Sequence, residues 1–244
     1  DGTYGTNGFY QKYGSTSNTY TEPTSAFTND AYTSMLLHMD GSDDAALFPD
    51  SSSSGHTPVV DGDIVTKTAQ KKFGTASCYQ NGGTGNYLYY ADAADLRLGT
   101  GDFTIQAWHR PATSDTECAI VSKGTETTTT NRWYLSYNEN GVEGRLRFYA
   151  KQSSVVDDIK IDLGTYAADT WHHLAASSYK GVLTLYSDGV AIGSAKRNIS
   201  SYDFDTGTNY VVIGTAAHGI DGYGVADEGY IDEVRISKGI ARYT

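Results

Sequence analysis

Two antiparallel β-sheets packed face to face are predicted by three features of this sequence. Glycine and tyrosine are abundant, at 27 and 20 of 244 residues, whereas proline, methionine and cysteine number 4, 2 and 2. That balance favours strands joined by tight turns over helices. Short β-prone segments with apolar–polar alternation recur along the chain, separated by Gly, Asn and Asp. No long stretch carries a 3.6-residue apolar period, which argues against a helical bundle. The length suits one large all-β domain, or one such domain with an appendage.

The elements follow in order. Residues 1–30 are rich in Gly, Ser, Thr, Asn and Tyr and nearly free of aliphatics, so they cannot build a core alone. They are expected to form an extended arm or linker, with Pro23 keeping Glu22 out of helical space. The sandwich is expected over 31–244. Met35–Asp40 is apolar on both faces, as an inner strand would be, and ends at Asp40-Gly41. A polar loop, Asp50–His56, precedes Val59–Val65, where Asp61-Gly62 is read as a hairpin turn. Further strands are expected around Ser77–Gln80 and Tyr87–Tyr90. The clearest alternation is Phe103–Arg110, with Phe103, Ile105, Ala107 and His109 on one face and Thr104, Gln106, Trp108 and Arg110 on the other. Pro111 ends it. Segments at 118–123, 132–137, 145–150, 159–163, 171–178, 182–187, 190–193 and 210–214 complete about a dozen short strands. Asp188-Gly189 marks a second hairpin.

The last strand, Tyr230–Ile236, places Tyr230, Asp232, Val234 and Ile236 on one face and Ile231, Glu233 and Arg235 on the other. Asp232 thus falls in an apolar row. A buried carboxylate requires a partner, a set of hydrogen bonds or a metal.

The formal charge of -11 and the pI of about 4.8 argue against binding a phosphate backbone. No apolar run approaches the ~20 residues needed to span a bilayer, so no membrane insertion is expected. No basic-then-apolar leader stands at the start. Because the sequence begins at Asp1, it is expected to be processed or excerpted from a longer one. Cys78 and Cys118 both lie in strand-like segments; two buried thiols acting as small hydrophobes are favoured over a bridge.

Four motifs, Gly101–Trp108, Thr170–Ala175, Leu185–Gly189 and Gly229–Ile236, together resemble the laminin-G-like, concanavalin A-like jelly roll in order and spacing. The tail Ile236–Thr244, with Leu36–Gly41, is similar to the version carried by tailed-phage virion proteins. The resemblance implies an all-β jelly-roll sandwich on a phage tail or capsid, in homo-oligomeric assemblies. Partners would be other virion proteins or tandem copies, since Ala241–Thr244 reads into Tyr20–Phe27 as a connector would. It also implies a structural calcium at Asp40 and Asp232. Calcium needs six to eight oxygens; the alternative is that Asp232 caps backbone amides or pairs with an arginine. Asp203–Gly207 has the Asp-x-Asp-x-Gly form of a calcium loop but lacks the downstream Glu, so a plain turn is favoured.

Some members of that superfamily hydrolyse glucans with paired acidic residues on one strand. Here Asp232 and Glu233 are adjacent and point to opposite faces, so a hydrolase is the least favoured of three readings. His172 and His173 likewise face opposite ways and cannot chelate together. Glycan binding calls for aromatic rings beside a few polar groups. Asn131, Arg132, Trp133, Tyr134 and Tyr137, next to Asn138, form one such cluster, and Trp108 with Arg110 another; core packing is the competing role for these rings. Asn198-Ile199-Ser200 is a glycosylation sequon, meaningful only in a eukaryotic secretory protein. The expectation is a non-enzymatic virion structural or adhesion module that contacts proteins and binds host-surface glycans. The alternative is a secreted bacterial carbohydrate-binding module or adhesin repeat.

Overall fold

A computed structural model describes residues 20–83, 85–113, 118–124, 131–137, 145–152, 155–162, 166–191, 197–198, 209–215 and 228–244. Asn138, the 203–207 loop and most of the 1–30 arm lie outside the described residues, as do Ile199 and Ser200 of the sequon. Sixteen strands occur among the described residues: β1 (Thr33–Leu37), β2 (Pro58–Asp61), β3 (Val65–Lys67), β4 (Ser77–Asn81), β5 (Tyr87–Tyr90), β6 (Phe103–Pro111), β7 (Cys118–Lys123), β8 (Arg132–Tyr137), β9 (Arg145–Gln152), β10 (Val155–Asp162), β11 (His172–Tyr179), β12 (Val182–Ser187), β13 (Val190–Ala191), β14 (Arg197–Asn198), β15 (Val211–Ile213) and β16 (Glu228–Lys238). Among the described residues one 3-10 turn occurs, at Ala94–Leu96. No helix among the described residues is long and apolar enough to cross a membrane.

The strands form two antiparallel sheets, as the alternation predicts. One runs β13-β12-β11-β6-β16-β4-β3, with β1 added beside β16 and β14 beside β12; the other runs β10-β9-β8-β7-β15-β5-β2. Between them lies one core, which includes Met35, Leu37, Phe103, Ile105, Trp133, Leu135, Phe148, Val211, Ile231, Val234 and Ile236. Each large apolar side chain removed from water there contributes roughly 1.5–3 kcal/mol. Cys78 and Cys118 are both free and buried.

β16 is the hub of the first sheet. Along one edge it pairs with β6; along the other it pairs first with β4 at Glu228–Ile231 and then with β1 at Val234–Ser237. Where β4 gives way to β1, β16 bulges. Asp232 lies opposite Trp108 and Arg235 opposite Gln106, so three residue steps on β16 face two on β6. Glu233 absorbs the extra residue in a left-handed conformation, φ 51°. This corrects the simple alternation expected for the strand. Val234 and Ile236 do enter the core, but so does Ile231, and Asp232 faces away from it with Arg235. A non-glycine residue in that conformation costs of the order of 1–3 kcal/mol. Glu233 is held there by two bonds: Oε1 lies 2.8 Å from His38 Nδ1, and Oε2 accepts the Phe27 N–H at 2.8 Å.

The outward face of that sheet is sealed by the two ends of the described chain. Tyr20 packs on Ala175, Tyr186 and Tyr243, and Phe27 packs with Leu36, Trp108, Phe73 and Trp171. Arg235 stacks over Phe27 at 4.4 Å and donates to the Thr28 carbonyl. The stretch from Tyr20 onward is therefore extended but docked, as part of the sandwich's outer layer. Tyr20 and Phe27 are the apolar residues that make this pay.

One turn departs from the sequence reading. Asp61-Gly62 joins β2 to β3, but β2 pairs with β5 and β3 with β4, in different sheets. It is a crossover between the layers. Asp188-Gly189 does close a hairpin: Ser187 faces Val190, and both turn residues have positive φ, 45° and 79°.

Candidate functional site

Period-two alternation divides the residues expected to bind glycan. In β8, Trp133 and Tyr137 point into the core and are fully buried, whereas Arg132 and Tyr134 belong to the outward face. Trp133 stacks on Phe148, and Tyr137 on Tyr166 with centroids 4.8 Å apart. These two rings serve packing and offer no face to a ligand. Tyr134 lies flat against Tyr149 across the strand pair, at 4.7 Å and 8°. The Arg147 guanidinium lies 5.1 Å from the Tyr134 ring, and that of Arg132 lies 5.2 Å from Tyr149. Asn131 precedes the strand. The five residues do not form one surface. Trp108 is buried too, beneath Lys72 Nζ at 3.6 Å, while Arg110 pairs with Asp169 at 3.0 Å.

Asp40 and Asp232 are brought to one loop. Asp232 Oδ2 accepts the N–H groups of Lys72 and Phe73 at 2.8 and 3.1 Å. Asp40 Oδ1 accepts the N–H and hydroxyl of Thr75 and the N–H of Ala76. Gly74 sits between these contacts at φ 62°, with no room for a Cβ beside the Asp40 carboxylate. Burial pushes the Asp232 carboxyl up to about 8, against the two amides that favour its ionised form. Its Oδ1 is buried and meets no donor. Calcium requires six to eight oxygens converging on one point. Here the carboxylates converge on amide donors, and among the described residues no three His, Cys, Asp or Glu side chains could hold an ion together. This donor set fits amide capping and does not fit a calcium shell.

A different concavity is built beside the start of β1. Asp30, Ala31, Tyr32, Thr33, Ser34, Ser53, Ser54, Ala94, Asp95 and Lys238 line a cleft of about 550 Å³, within the usual size of a small-ligand site. Local sequence explains each wall. Asp30 makes an Asx turn, its Oδ1 accepting the Tyr32 N–H at 3.0 Å and the Thr33 hydroxyl at 2.8 Å. That turn lifts Tyr32 out of the strand, 48% exposed. Gly239, at φ 84°, passes close to the Tyr32 ring where only glycine adopts the backbone freely. The serine loop is folded by Asp50, which accepts the N–H groups of Leu36, Ser52 and His56 and the Ser52 hydroxyl. This sets Ser53 and Ser54 on the opposite wall, where Ser54 Oγ donates to Asp95 Oδ2 at 2.5 Å and His56 Nε2 lies 3.1 Å from the same oxygen. Lys238 closes the end, its Nζ donating to the Ala94 carbonyl at 2.8 Å.

The electrostatics of the cleft are fixed by these contacts. Arg242 Nη2 donates to Asp30 Oδ1 at 2.8 Å, and this bond holds the Asp30 carboxyl well below the ordinary range. Burial pushes Asp95 up, but the bonds from Ser54 and His56 outweigh it and the carboxyl stays below its ordinary value. Both are carboxylates at neutral pH. The cleft therefore offers an exposed phenol ring, two carboxylates, serine hydroxyls and one ammonium, which is the chemistry that grips polyhydroxylated rings. Sequence reasoning missed it because its walls come from segments 24 and 41 residues apart, as the Asn29–Ser53 and Ser54–Asp95 bonds measure. The local signal was there in Asn29-Asp30-Ala31-Tyr32, an Asx-turn sequence carrying a tyrosine into a strand.

Similar proteins place the fold. The chain superposes with TM-scores of 0.62 on the binding domain of botulinum neurotoxin serotype G and 0.63 on that of Paraclostridial Mosquitocidal Protein 1, at 14% and 15% identity, covering 86% of this chain in each case. It spans about half the length of those toxin domains, 49% and 50%. It also matches domain 4 of AbnA, an extracellular GH43 arabinanase from Geobacillus stearothermophilus solved with arabinotriose, at TM-score 0.61 and 19% identity, covering 86% of this chain and 94% of that domain. No curated relative matches the chain by sequence. The family description Laminin_G_3, concanavalin A-like lectin/glucanases superfamily, matches residues 81–241, well over half of the chain. On that match and on the two-sheet architecture, the chain belongs to the concanavalin A-like lectin/glucanase superfamily.

Proposed function

We propose that this chain is a non-enzymatic glycan-binding module, and that the cleft around Tyr32 is where it holds sugar. The observation that carries the reading is the exposed Tyr32 ring set against Asp30, Asp95, Ser53, Ser54 and Lys238 in one concavity. An aromatic face for the apolar side of a sugar ring, with carboxylate and hydroxyl groups around it for the hydroxyls, is how proteins hold carbohydrates without charge on the ligand. The arabinanase domain solved with arabinotriose matches nearly along its whole length, which supports a small module acting on its own. A non-catalytic role is supported by the use of Asp232 and Glu233, the acidic pair on the last strand. Both are committed to backbone amides, and Glu233 also to His38.

The module is proposed to sit on a tailed-phage virion, on a tail fibre, tail tip or capsid decoration, repeated in a homo-oligomeric assembly with other virion proteins or tandem copies. The sequence resemblance at Ile236–Thr244 and Leu36–Gly41 supports that placement. The similarity to a domain of an extracellular enzyme favours the second reading, a secreted bacterial carbohydrate-binding module. A glycan array probed with the wild type and with Tyr32→Ala tests the binding function. Saturable binding by the wild type, lost in a Tyr32→Ala variant of unchanged melting temperature, is the expected result. Binding untouched by Tyr32→Ala would move the site elsewhere.

A further inference from the structure

We infer that the cleft selects uncharged sugars and discriminates against glycans capped by a carboxylated residue; this rests on the glycan-binding reading above. The hydrogen bonds that fix its two carboxylates fall on one oxygen of each. At Asp30 they fall on Oδ1, from Tyr32, Thr33 and Arg242. At Asp95 they fall on Oδ2, from Ser54 and His56. Among the described residues, no side chain bonds to Asp30 Oδ2 or Asp95 Oδ1, and these are the oxygens left to a ligand. An ionised carboxylate only accepts, so its natural ligand partner is a hydroxyl that donates.

The cations near the cleft are already engaged. Arg242 spends its guanidinium on Asp30, Ser237 and Thr33, and Lys238 gives one ammonium hydrogen to the Ala94 carbonyl. A sialic or uronic acid entering here would bring its carboxylate towards Asp30 Oδ2 and Asp95 Oδ1, which can only accept, while Arg242 already offsets Asp30 and Lys238 is left beside Asp95. A ligand hydroxyl can donate to both of these oxygens and a ligand carboxylate can donate to neither, so the carboxylated sugar leaves them unpaired beside a like charge. The chain's net charge of -11 adds a field of the same sign that slows anionic ligands before contact. The exposed face of Tyr32 is indifferent to this and serves any sugar with an apolar side. Preference is therefore set by the carboxylates and affinity by the ring.

The test is an array of matched pairs, each oligosaccharide printed with and without terminal sialic acid, read at low and at high salt. The expected result is binding to uncapped members at least tenfold stronger than to their sialylated partners. The ratio should narrow at high salt, where screening shortens the reach of Asp30 and Asp95. Asp95→Asn should narrow it further, weakening the uncapped members, which lose an ionised acceptor, more than the sialylated ones. Tyr32→Ala should weaken both members of each pair alike. Stronger binding to the sialylated member, lost on Tyr32→Ala, would overturn the charge preference and leave the cleft as a sugar site. No saturable binding to any pair would overturn the glycan-binding reading itself.

Discussion

Two pairs of carboxylates carry opposite lessons in this molecule. Asp40 and Asp232, which stand out in the sequence, close on the backbone amides of one loop and hold it to the sheet. Asp30 and Asp95, which do not stand out, meet across a cleft with part of each side chain in solvent, 40% and 35% exposed. Burial raises the Asp232 carboxyl; hydrogen bonds from cations and hydroxyls lower those of Asp30 and Asp95. A carboxylate on a strand is most simply explained by the backbone it satisfies, and one on a turn by the surface it builds.

The contrast is broken most severely at Asp232. Asp232→Ala strips two amides of their acceptor in a buried site, which should cost about 2–4 kcal/mol in denaturant unfolding. A loss below 1 kcal/mol would mean that the loop finds other partners. Asp232→Asn keeps an acceptor and removes the titration. Because the folded carboxyl is raised to about 8 from 3.8, its contribution is fully present below the lower value and is lost as pH rises through the higher one. His38, also raised, acts in the same direction through its bond to Glu233. The buried His109 and His173, both lowered to about 3, act oppositely, losing stability as pH falls below the ordinary histidine range. Above that range Asp232 and His38 dominate. Wild-type stability should therefore fall between pH 6.5, the ordinary histidine value, and about 8 more steeply than that of Asp232→Asn.

Phe27→Ala sharpens the comparison from the arm's side. Phe27 is buried against Trp108 and Leu36, and its removal should cost roughly 2–4 kcal/mol while leaving the cleft's ligands in place. A negligible cost would mean that the arm is dispensable. Arg242→Ala, which frees Asp30, should cost about 1 kcal/mol in the same assay and weaken sugar binding several-fold by loosening the Tyr32 turn. Smallest of all, added calcium or a chelator should leave the melting temperature unchanged, because Asp40 Oδ1 and Asp232 Oδ2 are held by amides of one loop and no third acidic side chain joins them among the described residues. A rise with calcium would show a shell completed by groups other than these.

What was legible in the sequence follows from how local each signal is. Strand positions were legible because alternation at Phe103–Arg110 is a property of eight consecutive residues, and the structure places Phe103, Ile105 and Ala107 in the core. The faces of the last strand were misread at one point because Glu233 takes a left-handed conformation that no residue pattern announces. Asp61-Gly62 carries a hairpin signature, but the signature records a turn and not which sheet receives the next strand. Trp133 and Tyr137 looked like binding residues because sequence shows which aromatics are neighbours, and alternation then sends them inward. The cleft needed the fold, since Tyr32, Ser54 and Asp95 meet only once three separate segments have converged.

The most direct test of the account is calorimetric titration of an array-selected uncapped oligosaccharide into the wild type and into Tyr32→Ala, with unfolding curves for both. Saturable binding to the wild type, weakened at least tenfold in Tyr32→Ala with stability within about 0.5 kcal/mol, is what the account predicts. Equal affinity of the two proteins would contradict it.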